Sequence, residues 1–238
     1  LTGFAHNPNI FIYFCVGPLF LIAGIIVMIV SPNILFGWLQ HAQESSPAQA
    51  AFFNGIMPVI VCAALSFCAC LSNLPCVQIA LEGKAFWILR ILPITAGQVM
   101  GSKLFVHFIL HVPLLIILGI IGLCYMGTGS IIGNICSILM PVLLFLALGF
   151  FSFYRNIKRP FMDWLRLTDL NRGLQNVIPL FILIVILLVF CGSYIFLGSS
   201  VNFSAFMLTW TAVSAVLCVL SFLLMYKKGT PAYNDIPA

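Results

Sequence analysis

Six long apolar runs divided by short polar segments constrain this chain more than any other feature of its sequence. A helix needs roughly 20 mostly apolar residues to cross a bilayer hydrocarbon core of about 30 Å. Each run has that length, and strands of an open sheet would leave backbone groups without hydrogen bonds in lipid. We therefore predict an all-α fold, a polytopic transmembrane helix bundle of about six spans that forms a single domain over residues 1–238. The predicted spans are 10–30, 51–71, 104–125, 131–153, 177–197 and 203–226.

The small number of charged residues supports a membrane protein. Lys and Arg number 10 and Asp and Glu number 5, so only 6% of the 238 residues are charged, against about 25% in an average soluble domain. A soluble fold of this length needs a charged surface that so few side chains do not provide, so we expect lipid to cover the molecule. The net charge of +5 is not gathered into a basic stripe with interleaved aromatic residues, and no nucleic acid partner is predicted.

The basic residues occur only after every second predicted span. Every Lys and Arg lies in the segment 72–103, in the segment 154–176 or in the tail that follows the last span. Cytoplasmic loops of membrane proteins carry an excess of Lys and Arg. We therefore predict that 72–103 and 154–176 are cytoplasmic loops, and that both termini of this segment are cytoplasmic as well.

The loop 72–103 has the pattern of a short helix, a break and a second helix. Residues 81–92 mix charged and large apolar side chains, which is typical of a short amphipathic helix at a membrane surface. Pro93 ends that helix, and Thr95 with Gln98 forms a capping-box pattern that starts the next one. The residues alone leave two interpretations, a docking surface for a soluble partner or an interfacial helix that only anchors the bundle.

Two motifs in these loops carry a family resemblance. The first is an E-G-K, aromatic, L-P-I pattern, with Glu82-Gly83-Lys84, Phe86-Trp87 and Leu92-Pro93-Ile94, followed by Lys103 at the start of the next span. The second, two spans later, is Arg159-Pro160-Phe161 followed by Asp163-Trp164. In their order and spacing among the spans, these motifs resemble a bacterial family of ABC-2-type exporter permeases. The match covers roughly residues 73–175.

The resemblance implies a permease subunit in the plasma (inner) membrane that forms a substrate path, while a separate cytoplasmic ATPase subunit binds its loops. Glu82 and Lys84 would be polar contacts to that ATPase, and Phe86 and Trp87 would be apolar anchors in its groove. Together the residues expected to couple the loops to the ATPase are Glu82, Gly83, Lys84, Phe86, Trp87, Arg90, Pro93 and Lys103 in the first loop, and Arg159, Pro160, Asp163 and Trp164 in the second.

The chain lacks the nucleotide-binding motif that such a transporter requires. No G-x-x-x-x-G-K-[ST] phosphate loop occurs, so we expect this subunit not to be an enzyme, to bind no cofactor itself and to use ATP through its partner. The chain begins with Leu1, and its motifs lie where they would fall in the C-terminal half of a longer permease. A second permease half or a homodimer is therefore expected to complete the pathway.

His107 and His111 are candidate functional residues inside the third span. At positions i and i+4 they share one helix face, and ionisable groups within membranes are candidates for metal binding or proton relay. Two ligands do not make a metal site, however, and no Asp or Glu lies in any predicted span to join them. We therefore expect no metal, and favour neutral histidines that form hydrogen bonds within the bundle.

Other classes of membrane protein remain open alternatives. An integral membrane enzyme that modifies lipids would need clustered acids or histidines, and the closest acidic pair, Asp163 and Asp169, has an i, i+6 spacing that separates the two helix faces. A secondary transporter or a membrane scaffold is a further possibility. The lack of intramembrane carboxylates disfavours proton coupling but leaves sodium coupling open.

Overall fold

Helices make up nearly all of the described part of the chain, and no strand occurs there. The computed structural model describes residues 8–31, 37, 47–72, 74–126, 130–160, 177–197 and 201–236, with the side chains of 8–15, 47–55, 83–85, 90 and 125–126 outside this description. The predicted all-α polytopic bundle is confirmed. The α-helices are α1 (Pro8–Val30), α2 (Pro47–Cys70), α3 (Phe86–Ile91), α4 (Ala96–Met126), α5 (Ile131–Lys158), α6 (Val177–Leu197), α7 (Phe203–Leu224) and α8 (Thr230–Asn234).

Five stretches of the described residues are helical, long and apolar enough to cross a membrane: Ile56–Cys76, Ala96–Cys124, Ile131–Lys158, Val177–Leu197 and Phe203–Asn234. They correspond to the second to sixth predicted spans. The first predicted span coincides with α1, a helix of 23 residues, and the part of α1 whose side chains the structure describes, Val16–Val30, is apolar.

The helix α4 begins eight residues earlier than the predicted span 104–125 because of its N-terminal cap. The side chain of Gln98 accepts a hydrogen bond of 2.9 Å from the backbone N–H of Thr95, and the hydroxyl of Thr95 accepts one of 3.3 Å from the N–H of Gln98. These two bonds are the reciprocal pair of a capping box. The capping box predicted from the sequence is therefore confirmed.

The helix α5 occupies the centre of the bundle and packs against α2, α4, α6 and α7. One apolar core joins α5 to α2, α6 and α7 around Met140, Phe190 and Met207. A second joins α5 to α1, α2 and α4 around Phe145 and Leu115. The faces of α6 and α7 that point away from these cores expose large aliphatic side chains, as expected for surfaces in contact with lipid.

One end of the bundle collects the described basic residues, and we call it the basic end. It is formed by the N-terminal turns of α4, the last turn of α5 with Arg155 and Lys158, and the π-helical segment Met225–Gly229 with Lys227 and Lys228. A third apolar core, around Leu104, Ile157 and Met225, holds these ends together. The loop after α2 packs here, so the predicted helix–break–helix element lies at the basic end.

Candidate functional site

The helix–break–helix element is observed, and its first half is 3₁₀-helical, which is wound more tightly than an α-helix. A 3₁₀ turn at Leu74–Cys76 is followed by a 3₁₀ segment, Ala80–Ala85, and by the six-residue helix α3. The break spans residues 92–95, where Pro93 is exposed, and α4 follows at once. Ile79, just before the 3₁₀ segment, is fully buried, and Glu82 within it pairs with Lys103 of α4, so both side chains face the bundle.

Lys103 of α4 ties the 3₁₀ segment to the bundle. Its ammonium group forms an ion pair with the carboxylate of Glu82, and it also donates a hydrogen bond of 3.0 Å to the backbone carbonyl oxygen of Gln78. The side chain of Gln78 in turn donates a bond of 2.8 Å to the carbonyl oxygen of Lys103. Three polar contacts therefore close this junction, and Glu82 and Lys103, both expected to couple to an ATPase, are brought together.

A fourth contact joins the same segment to α5. The backbone N–H of Ile79 donates a hydrogen bond of 2.7 Å to the side-chain oxygen of Asn156, and both residues are fully buried. Neither Gln78 nor Asn156 was among the residues predicted from the sequence. Both lie within the predicted cytoplasmic loops, and the sequence carries no signal that separates these two buried amides from exposed loop residues.

The two aromatic residues of the first motif point in opposite directions. Phe86 is only 2% exposed and packs edge to face on Tyr233, with ring centroids 5.3 Å apart. Trp87 is 51% exposed. Neighbouring residues of a helix lie about 100° apart around its axis, which allows one ring to enter the third apolar core while the other faces outward.

The outward side of this element is strongly apolar. It begins at Trp87 and continues through α3 and the break with large exposed aliphatic side chains, namely Ile88, Ile91, Leu92 and Ile94. We call this surface the α3 platform. Its side facing the bundle is held by Phe86, Ile79 and the Lys103–Glu82 pair, so the platform is fixed to the ends of the long helices.

The remaining residues expected to couple to an ATPase lie in the 3₁₀ segment, in α3, at the end of α5 or outside the described residues. Gly83 and Lys84 are in the 3₁₀ segment and Arg90 is in α3, by backbone position. Arg159 is exposed and its backbone N–H caps α5 by bonding to the carbonyl oxygen of Arg155 at 3.2 Å. Pro160 follows and is partly buried, whereas Asp163 and Trp164 lie outside the described residues.

His107 and His111 lie side by side in α4, with ring centroids 4.6 Å apart. Both rings pack against Phe145 of α5. The Nδ1 of His111 lies 2.9 Å from the carbonyl oxygen of His107, and because a carbonyl only accepts, Nδ1 carries the hydrogen. Within the part of the chain that the structure describes, no group of three His, Cys, Asp or Glu side chains is placed to hold a metal ion.

A wide apolar groove runs along one side of the bundle. It has a volume of about 350 Å³ and lies between α1, α2 and α4. Apolar side chains dominate its lining, which includes Phe20, Met28, Ile60, Ala64 and Leu118. The half-exposed side chains of Phe20 and Ile60 stand at its rim, so the groove is accessible from the side of the bundle.

Comparison with family models, with curated proteins and with solved structures finds no match for this chain. The fold therefore defines its class, an all-α multi-pass membrane protein.

Proposed function

We propose that this chain is the membrane-spanning permease subunit of an ATP-driven ABC exporter, and that the α3 platform is where the cytoplasmic ATPase subunit docks. The observation that carries the proposal is the two-sided construction of the platform. Its outer side exposes Trp87 and Ile91, and its inner side is fastened to α4 and α5 by polar and apolar contacts. Aromatic and aliphatic anchors of this kind dominate the binding energy of protein interfaces.

The contacts that hold the α3 platform to α4 and α5 support a role in coupling the ATPase to the spans better than a role in anchoring the bundle alone. An interfacial helix that only anchors a bundle needs contact with lipid headgroups and no rigid connection to several spans. Here one short segment contacts α4 through Lys103 and α5 through Asn156. A force applied to the platform by a closing pair of ATPases would reach both helices and tilt them as rigid elements.

The charge distribution supports the orientation that docking requires. The described basic side chains gather at the end of the bundle that carries the platform. The positive-inside rule assigns this end to the cytoplasm, and we propose the plasma membrane of a bacterium as the location. ATP would then be bound by the partner subunit on the same side.

The apolar groove is the proposed entry for the transported molecule. Its volume and apolar lining suit a hydrophobic segment of a cargo, and its rim opens towards the bilayer. The cargo would reach it laterally from the membrane, and movements of α4 transmitted from the platform would change the groove wall at Leu118.

The deciding experiment is co-purification of an ATPase with the full protein from membranes. The double substitution Trp87→Ala and Ile91→Ala should abolish co-purification and transport while membrane insertion is retained. The matched control is Ile131→Ala, since Ile131 is also largely exposed but lies at the other end of α5. Unchanged ATPase binding by the double variant, or a protein that brings no ATPase at all, would refute the proposal.

A further inference from the structure

The apolar groove between α1, α2 and α4 is lined almost entirely by hydrocarbon. Eleven of the described residues form its wall, and apart from the sulfur atoms of Met28, Met57 and Cys68 their side chains carry only carbon. A polar group placed there would give up its hydrogen bonds to water without replacing them. The part of a ligand that enters the groove is therefore expected to be hydrocarbon as well.

The volume of the groove corresponds to about fourteen carbon atoms. A cavity of about 150 Å³ lined by Leu, Ile and Phe stays dry and holds one molecule of the six-carbon ring benzene. The groove has a volume of about 350 Å³ and a wall of the same chemistry. In proportion, it has room for roughly fourteen carbon atoms.

The length of the groove leads to the same number independently. The groove follows α2 from Met57 to Cys68, which at 1.5 Å per residue is about 17 Å. An extended hydrocarbon chain advances about 1.25 Å per bond, given a C–C length of about 1.52 Å and an angle of about 111°, so a chain of fourteen carbons is about 16 Å long. Volume and length agree for one chain, whereas two chains side by side would need twice the volume.

A protein helix is too large for this groove. With its side chains a helix is about 10–12 Å in diameter, and 17 Å of it contains about eleven residues, which have many times fourteen carbon atoms. A second copy of this chain would need a wider contact surface, since stable interfaces involve roughly 20–30 residues on each side.

The surroundings of the groove supply hydrocarbon chains. Its rim residues Phe20 and Ile60 are half-exposed, and Leu19 and Ile26 on α1 are exposed to a similar extent. In a membrane-spanning bundle such an apolar surface contacts the acyl chains of the bilayer. The groove is therefore open to lipid from the side.

We propose that the groove is a binding site for one acyl chain of a bilayer phospholipid, with room for about fourteen carbons. The chain enters sideways past Phe20 and Ile60, and the polar headgroup stays at the membrane surface. Behind the chain α1 lies close to α4, because a Cβ at Gly24 would be only 3.2 Å from Cδ2 of Leu118. Occupation of the groove requires no ATPase, whereas a role of the bound lipid as the exported cargo rests on the proposed function.

Photo-crosslinking in the full protein, held in lipid nanodiscs, tests this site. The probe is a phosphatidylcholine with a diazirine in one acyl chain, present as a small fraction of the nanodisc lipid, and mass spectrometry locates the adducts. Leu118 on the groove wall is 5% exposed, whereas Leu188 on the outward face of α6 is 68% exposed. We expect severalfold more adducts at Leu118 than at Leu188. Adducts that follow exposure, with most at Leu188 and few or none at Leu118, would show unspecific lipid contact only and overturn the proposal.

The substitution Ala64→Trp fills the groove and should lower the labelling of Leu118 severalfold without changing that of Leu188. Val216→Trp is the matched control outside the groove and should change neither. Persistent labelling of Leu118 in a folded Ala64→Trp protein would refute the groove as the site, and should this variant fail to fold, the two leucines of the unaltered protein decide the question. Since no ATPase is present, a negative result here is distinct from a failure of ATPase co-purification.

Discussion

The side-chain oxygen of Asn156 accepts a 2.7 Å hydrogen bond from the backbone N–H of Ile79, which lies 77 positions earlier in the chain. This bond joins the loop after α2 to the last turns of α5, the central helix of the bundle. Both residues are inaccessible to solvent, so no water could replace Asn156 as the acceptor.

We expect Asn156→Leu to destabilise the protein by about 1–3 kcal/mol, because the N–H of Ile79 would be left buried without an acceptor. Thermal and denaturant unfolding in detergent measure the change, and hydrogen exchange should show faster opening at residue 79. Asn202→Leu is the control, since Asn202 is exposed and makes no side-chain cap at the start of α7. Equal stability of the Asn156 variant and the unaltered protein would contradict the assignment.

A double-mutant cycle should detect the ion pair between Lys103 and Glu82. We expect Lys103→Met and Glu82→Gln to be coupled by about 1 kcal/mol, between the values typical of exposed and buried pairs, because both side chains are partly shielded. Limited proteolysis of the segment 74–91 provides a second measurement, with faster cleavage in either single variant. Strictly additive effects on stability would show that the pair is not maintained in solution.

Phe86 and Trp87 should respond in opposite ways to truncation. Phe86→Ala removes a ring from the third apolar core and is expected to cost about 3–5 kcal/mol, whereas Trp87→Ala at an exposed position should change stability by less than about 0.5 kcal/mol. Unfolding measurements on the two single variants test this. A larger loss of stability from Trp87→Ala than from Phe86→Ala would mean that the two rings are placed the other way round.

Replacement by alanine should change the stability of the protein in opposite directions at two helical glycines. A Cβ at Gly149 would lie 2.7 Å from Cε1 of Phe108, whereas one at Gly101 has no atom within 4 Å. Gly149→Ala should therefore destabilise the bundle by about 1–3 kcal/mol through overpacking, and Gly101→Ala should stabilise it by up to about 1 kcal/mol through higher helix propensity. Equal effects of the two substitutions in unfolding experiments would contradict the close packing of α4 on α5.

Export should decrease when a large side chain fills the apolar groove. Ala64→Trp places a large side chain on its wall at an exposed position, so we expect folding to be retained and export to fall severalfold in reconstituted vesicles that contain the ATPase. Val216→Trp is the control, because Val216 is similarly exposed on α7 but outside the groove. Normal export by the Ala64 variant would exclude the groove as the path.

The features that the sequence could predict are local ones. The length of each apolar run determines a membrane-spanning helix, and the Thr95–Gln98 box depends on two residues three positions apart. The tertiary junctions are not local. The pairing of Ile79 with Asn156, and the inward position of Phe86, depend on where α5 and α8 lie relative to the loop. An aromatic pair in a motif does not reveal which ring is buried, so the sequence led us to expect two outward anchors, and only the structure shows that Phe86 points inward and Trp87 outward.

The last stretch of helix extends well beyond what a bilayer needs. Phe203–Asn234 runs for 32 residues without a non-helical break, through the π-helical segment. At 1.5 Å per residue it is about 48 Å long, against a hydrocarbon core of about 30 Å. The excess of about 18 Å carries the end of this helix beyond the hydrocarbon core. Met225 and Tyr233 pack there in the third apolar core, so a tilt of the embedded portion would move that core with it. A spin label on exposed Lys228 would thus report the inclination of the final span from outside the membrane.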